Sequence, residues 1–390
     1  MRPLRFAQPV GRIDVIPLSA YQDLVARYAR HAQAVPGVLG VNLIGSFSTP
    51  GLSDIDLVVT VDQASPLPDW RDLSLRMLAV GHPAESVVAH DVIVLPLEIA
   101  QKVEAFFFVD AQTTLFGEKL GGRIDSTDVE AFETLLTFEY AFHRLEALMS
   151  LLLARRPNLR TILLFLSTLR HSARLAAGRG WVSEVFEQDF SESVAALRRD
   201  SLGATLSRSA LDGWPERALA LLWGILGQPA MATSGAVQGQ RPRAWAVGPK
   251  TAAVATTEPD PVSIWRRAVA VQKRIFWSER ARAVPVPAAV QLHLFGYISG
   301  KDQTSSALRA YLGLQSAERV TSPDRWQEYR RIRGGLILDH WRFLETGGYA
   351  ASSGKGYLGL AQPPSGLRAH TLSILRDLSA TVVGRGARPL

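Results

Sequence analysis

Residues 41–61 read VNLIGSFSTPGLSDIDLVVTV, and this stretch decides how the whole chain is read. An apolar run ends in Gly45-Ser46, a short polar loop follows, and a second apolar run opens with Asp54-Ile55-Asp56-Leu57. Side chains two apart in a strand share a face, so Asp54 and Asp56 converge while Ile55 and Leu57 turn into a core. Two adjacent carboxylates repel unless a cation lies between them. Oxygen ligands on a strand suit Mg²⁺ or Mn²⁺. The Gly-Ser turn offers backbone N–H groups and a hydroxyl, which suit a phosphate.

Around this stretch the pattern alternates between helix and strand. Apolar positions predict a helix from Ser19 to about Val35, ended by Pro36-Gly37. Val38–Ile44 and Asp54–Val61 read as strands, Pro66 to about Val80 as a helix, and Ser86–Leu97 as a third strand rich in β-branched residues. Asp91 stands within that third apolar run, where a charge needs a partner or a metal. It is the candidate third carboxylate, with Asp110 and Glu98 as alternatives. His90, beside it, reads as structural. Thr113–Gly117 closes the region as a short strand.

The Gly-Ser, variable loop, Asp-apolar-Asp-apolar arrangement resembles the DNA polymerase β-like nucleotidyltransferase superfamily over roughly residues 38–117. The resemblance implies a small mixed-sheet catalytic domain. It also implies transfer of a nucleoside monophosphate from a nucleoside triphosphate to a hydroxyl of a small molecule or protein, with release of pyrophosphate. In that reading Asp54, Asp56 and Asp91 are the catalytic and metal-binding residues. Gly45 and Ser46 hold the triphosphate. Many small members carry an Arg shortly after Gly-Ser, whereas Phe47-Ser48-Thr49-Pro50-Gly51 has no basic residue. The triphosphate charge is then expected to be met from elsewhere, for instance by Arg160 or Arg170. Two other functions stay open: a nucleotidyltransferase acting on an RNA 3′ end or making oligonucleotide signals, and a non-catalytic protein that binds nucleotide or a partner.

From Ser126 the period becomes helical, with segments at 158–177, 183–199 and 207–226. The expected class is thus α/β plus all-α. The catalytic domain occupies 1–125, a helical bundle 126–227, a linker or irregular excursion 228–263, and a basic, mainly helical region 264–390. The bundle resembles, at the level of fold alone, the all-α domain that follows the catalytic core in many small-molecule nucleotidyltransferases.

Charge divides along the same line. Residues 1–125 carry 10 basic and 14 acidic side chains, and the remainder 33 and 22. A basic second half suits an anionic partner such as a triphosphate or nucleic acid. Arg266, Lys273, Arg274, Trp277 and Arg280 on one segment, and Arg330, Arg331 and Arg333 near Trp326 and Tyr329 on another, are the candidate basic-aromatic face. Gly354-Lys355-Gly356 lacks the spacing of a P-loop and reads as a loop. No run approaches 18 apolar residues, so no membrane partner is expected. The N-terminal residues lack a signal-peptide pattern, so the expected location is cytoplasmic. The absence of cysteine excludes disulfides and thiolate metal sites.

Overall fold

The computed structural model describes residues 3–47, 49–109, 111–227, 244–248, 251–256, 260–275, 282–287 and 325–347. Asp110, Trp277, Arg280 and Gly354–Gly356 lie outside them. The molecule is mixed α/β. The first unit is α1 (Leu18–Gln33), β1 (Val38–Ile44), β2 (Asp56–Val61), short helices α2 (Trp70–Leu73) and α3 (Leu75–Ala79), β3 (Ile93–Pro96), α4 (Leu97–Ala100) and β4 (Gln112–Gly117). Four long helices follow: α5 (Ser126–Leu153), α6 (Leu159–Gly178), α7 (Glu184–Asp200) and α8 (Trp214–Leu226).

The sheet has the order β3-β2-β1-β4. β1 is antiparallel to both β2 and β4, and β2 runs parallel to β3. Strand alternation sets what each face does. Leu57, Val59 and Val61 on β2 pack with Tyr21, Leu24, Val25 and Tyr28 of α1 in one core. Val58, one residue out of phase, packs with Leu95, Phe132, Leu135 and Ile162 in the other. The helical bundle therefore closes over one sheet face and α1 over the other. Asp56 shares its parity with Val58, so its side chain is directed to the bundle face.

Helices α6 and α7 start where the sequence places them because their caps are local. Asn158 accepts from Thr161 N and Ser183 from Phe186 N, at the starts of α6 and α7. Three elements differ from expectation. The helix expected over 207–226 begins only at Trp214, after a 3₁₀ turn at Arg208–Leu211. The helix expected over 66–80 is split, because Ser74 is extended and caps α3 by accepting from Met77 N. The third strand begins only at Ile93, after a 3₁₀ turn at Glu85–Val87.

Beyond the bundle, a second sheet of order β5-β6-β7 combines β5 (Ala244–Gly248), β6 (Thr251–Thr256) and β7 (Arg282–Pro287). Its first two strands fall where the sequence reads as an irregular linker. Their Ala-rich composition carries little periodic signal, and the pairing itself defines them. Helix α9 (Pro261–Ile275) precedes β7, and α10 (Arg325–Thr346) returns to the first unit. Arg333 of α10 is 1% exposed. It donates to Glu139 of α5 at 2.7 Å and to the carbonyls of Ala105 and Phe106. His340 contacts the Val94 carbonyl on β3 at 2.8 Å. Burial pulls its pKa down to about 4.

Candidate metal centre

Asp54 and Asp56 flank the start of β2, at the end of the loop from Gly45 to Ile55. This loop is fixed by α1. The buried Tyr21 hydroxyl donates to Ser53 O at 2.7 Å and accepts from Gly51 N at 2.8 Å. Gly51 itself has φ +93°, and a Cβ there would fall 2.1 Å from Asp14 O, so only glycine fits. Thr49 N donates to Ser53 Oγ and Ser53 N to Thr49 O, which close the turn just before Asp54.

The third member of the cluster is His90, which the sequence reading took as structural. Ligand atoms of Asp54, Asp56 and His90 all lie within 4.8 Å of one another. His90 Nε2 is 2.5 Å from Asp56 Oδ1. Its other nitrogen, Nδ1, faces the Asp91 carbonyl at 2.7 Å. A carbonyl only accepts, so Nδ1 carries a proton, and Nε2 is left to pair with Asp56 or to bind a metal. A histidine whose second nitrogen donates to a carbonyl is the usual arrangement of a metal-ligating imidazole. The donor set of two carboxylates and one imidazole fits a divalent ion. It suits Mn²⁺ or Zn²⁺ better than Mg²⁺, which favours oxygen.

Asp91 is placed elsewhere. Its Oδ2 accepts from Ser74 Oγ at 2.5 Å, and its Oδ1 from Leu75 N at 2.8 Å and Val92 N at 3.0 Å. The carboxylate thus caps α3. Because β3 starts at Ile93, the Val92 bond turns the side chain toward that helix before the strand parity takes hold. Glu98 is exposed on α4. The histidine next to Asp91 was visible in the sequence. What was missing was the point at which the strand begins, and that point decides which of the two neighbours faces Asp56.

The Gly-Ser turn is also partly committed. Gly45 has φ +80°, and a Cβ there would meet nothing within 4 Å. Glycine is therefore favoured there by conformation and not by crowding from the protein. Its N–H already donates to Ala111 O at 2.9 Å. The exposed Ser46 hydroxyl makes no hydrogen bond among the described residues and is the group available to a ligand.

The electrostatics of the cluster follow from its seclusion. Burial, then the Asp56 charge, raise the Asp54 pKa above the usual carboxylate range, while His90 and Arg160 pull it back. The hydrogen bond to Asp56 raises His90 to about 9, against the opposing effect of burial. Three guanidiniums reach this field from three bundle helices: Arg144 of α5, Arg160 of α6 and Arg198 of α7 each feel the Asp54 charge. Arg160 is anchored by carbonyls of Ser86, Leu52 and Val87. Arg144 lies over the Tyr140 ring at 5.3 Å.

The candidate basic face is divided by the structure. Arg333 is consumed by Glu139 and backbone carbonyls, Trp265 is fully buried, and Tyr329 donates to Asp128 at 3.0 Å. Lys273 and Arg274 are exposed on α9.

No family model, curated protein or solved structure matches the chain at a significant level.

Proposed function

We propose that the chain is a divalent-metal-dependent nucleotidyltransferase that moves a nucleoside monophosphate from a nucleoside triphosphate to a hydroxyl acceptor, releasing pyrophosphate. The observation that carries this reading is the convergence of Asp54, Asp56 and His90 at one sheet end, on the face covered by an arginine-bearing bundle. A bound divalent ion would supply charge neutralisation at the reacting phosphate and lower the pKa of an attacking hydroxyl.

The chain's residues would do the rest. Asp54 and Asp56 present two carboxylates from one strand face, fixed by the Tyr21-pinned loop. Without a bound ion, burial and the Asp56 charge disfavour the charged form of Asp54, so a cation at this site relieves the repulsion. His90 completes the ligand set through Nε2, held in orientation by the Asp91 carbonyl. Ser46 is positioned at the turn to donate to a phosphate oxygen.

The test is incubation of the full chain with each labelled nucleoside triphosphate and either Mn²⁺ or Mg²⁺. Pyrophosphate release and the mass of the product are then measured. Metal-dependent release with a nucleotide-modified product supports the reading. Release of inorganic phosphate in place of pyrophosphate overturns it.

A further inference from the structure

Arg198 is 3% exposed, yet no carboxylate pairs with it among the described residues. Among the described residues its hydrogen-bond partners are two neutral hydroxyls at the long distance of 3.4 Å: Thr49 Oγ1 to Nε and Ser53 Oγ to Nη2. Both belong to the loop that delivers Asp54. Arg170 of α6 is the charge that acts on it most strongly and is a second cation, so it adds repulsion where compensation is expected. Arg170 Nε is buried with no hydrogen-bond partner among the described residues, and Glu187 attracts it only from beyond ion-pair distance. Among the described residues Asp54 is the carboxylate that acts on Arg198, and Arg160 and Arg144 draw on the same carboxylate.

A buried guanidinium needs a counter-charge and acceptors for its five N–H donors. Here the counter-charge is a carboxylate shared with two other arginines and outside ion-pair distance, and the acceptors among the described residues are two long hydroxyl bonds. An arginine fork held among hydroxyls, with a second arginine beside it, is complementary to phosphate oxygens. We propose that Arg198 and Arg170 form an anion site for a polyphosphate: the chain of a nucleoside triphosphate or free pyrophosphate. The site gives a role to bundle residues where the Gly-Ser loop has no basic side chain. It does not depend on catalysis or on a metal at Asp54, Asp56 and His90, so it stands or falls separately from the proposed transfer.

The test uses the full chain in excess chelator, titrated by calorimetry with pyrophosphate, tripolyphosphate, a nucleoside triphosphate and sulfate. Polyphosphates are expected to bind at least about tenfold more tightly than sulfate, since each added oxyanion gains charge-assisted hydrogen bonds. Arg198→Met is expected to weaken pyrophosphate binding by about tenfold or more, and Arg170→Gln by a smaller factor in the same direction. In the absence of ligand, Arg198→Met is expected to leave Tm unchanged or raised, because it removes an unpaired buried charge. Arg198→Lys keeps the charge and loses the fork, and is expected to fall between wild type and Arg198→Met. Tighter binding of the triphosphate than of pyrophosphate assigns the site to the donor; the reverse order assigns it to the released product. Equal affinity for sulfate and pyrophosphate overturns the proposal. So does wild-type pyrophosphate binding by Arg198→Met, or by Arg170→Gln if Arg198→Met does not fold.

Discussion

Asp54, Asp56 and His90 have unequal roles in stability and in function. Burial and the Asp56 charge both disfavour the charged form of Asp54. Asp54→Asn is therefore expected to leave the metal-free protein as stable as wild type or more so, while lowering transfer by more than about 100-fold, since losing a charged ligand costs at least as much as losing a supporting residue. Asp56→Asn shares the loss of transfer. Metal-free melting curves and pyrophosphate release check both, and wild-type turnover in either variant removes the metal centre from the mechanism. His90 gives a second, pH-resolved outcome. Its folded pKa is raised to about 9. The His90–Asp56 pair thus contributes stability that is complete below the ordinary histidine pKa of about 6.5 and is lost as pH rises through about 9. In chelator, the Tm advantage of wild type over His90→Gln is expected to shrink between pH 7 and 10. A widening gap contradicts the pairing. The two aspartates were legible from the sequence because strand parity is a local rule. His90 and Arg198 were not. The first depends on where β3 begins, and the second on loop contacts 145 and 149 residues away.

At the scale of elements, the third apolar run carries the lesson. Its composition predicts one long strand, and half of it became a 3₁₀ turn and an approach segment. Asp91 is the cause: it holds Ser74, Leu75 and Val92, joining the α3 start to the β3 start. Asp91→Ala is expected to cost about 1–2 kcal/mol of stability, as for loss of a helix cap with three acceptor bonds. Metal affinity is expected to change less than in His90→Gln. Denaturant unfolding together with Mn²⁺ titration separates the two effects. A loss of metal binding as complete as that of Asp54→Asn would return Asp91 to the ligand set. Helices α6 and α7 were read almost to the residue because Asn158 and Ser183 act within one turn of themselves, whereas α8 starts seven residues late, after a 3₁₀ turn. The β5–β6 pair escaped notice because its Ala-rich strands have no alternation to display.

For the whole molecule, the ties between distant segments matter most. Arg333 brings α10 to α5 and to the segment before β4 through a buried ion pair with Glu139. Arg333→Met alone is expected to cost about 3–5 kcal/mol, because Glu139 is left buried and unpaired. The double variant Arg333→Met, Glu139→Leu is expected to recover most of that loss, which a double-mutant cycle in denaturant measures. Additive losses would mean that the pair does not act as a unit. The same tie explains why the basic-aromatic segment at 325–347 looked like a binding surface in the sequence: charge alone does not tell an arginine that meets solvent from one that meets a buried glutamate.

The three arginines that offset Asp54 also set an order of events. They arrive on α5, α6 and α7, whereas the aspartates emerge early and within a segment of net negative charge. On a growing chain the carboxylate pair has His90 beside it but lacks the full set of arginines until some 140 further residues have been made and folded back over the sheet. The electrostatic setting of the cluster is thus a late product of folding, and a half-made chain carries the same carboxylates with a different surrounding charge. Completion of the bundle is the step at which a generic pair of carboxylates acquires its final surroundings.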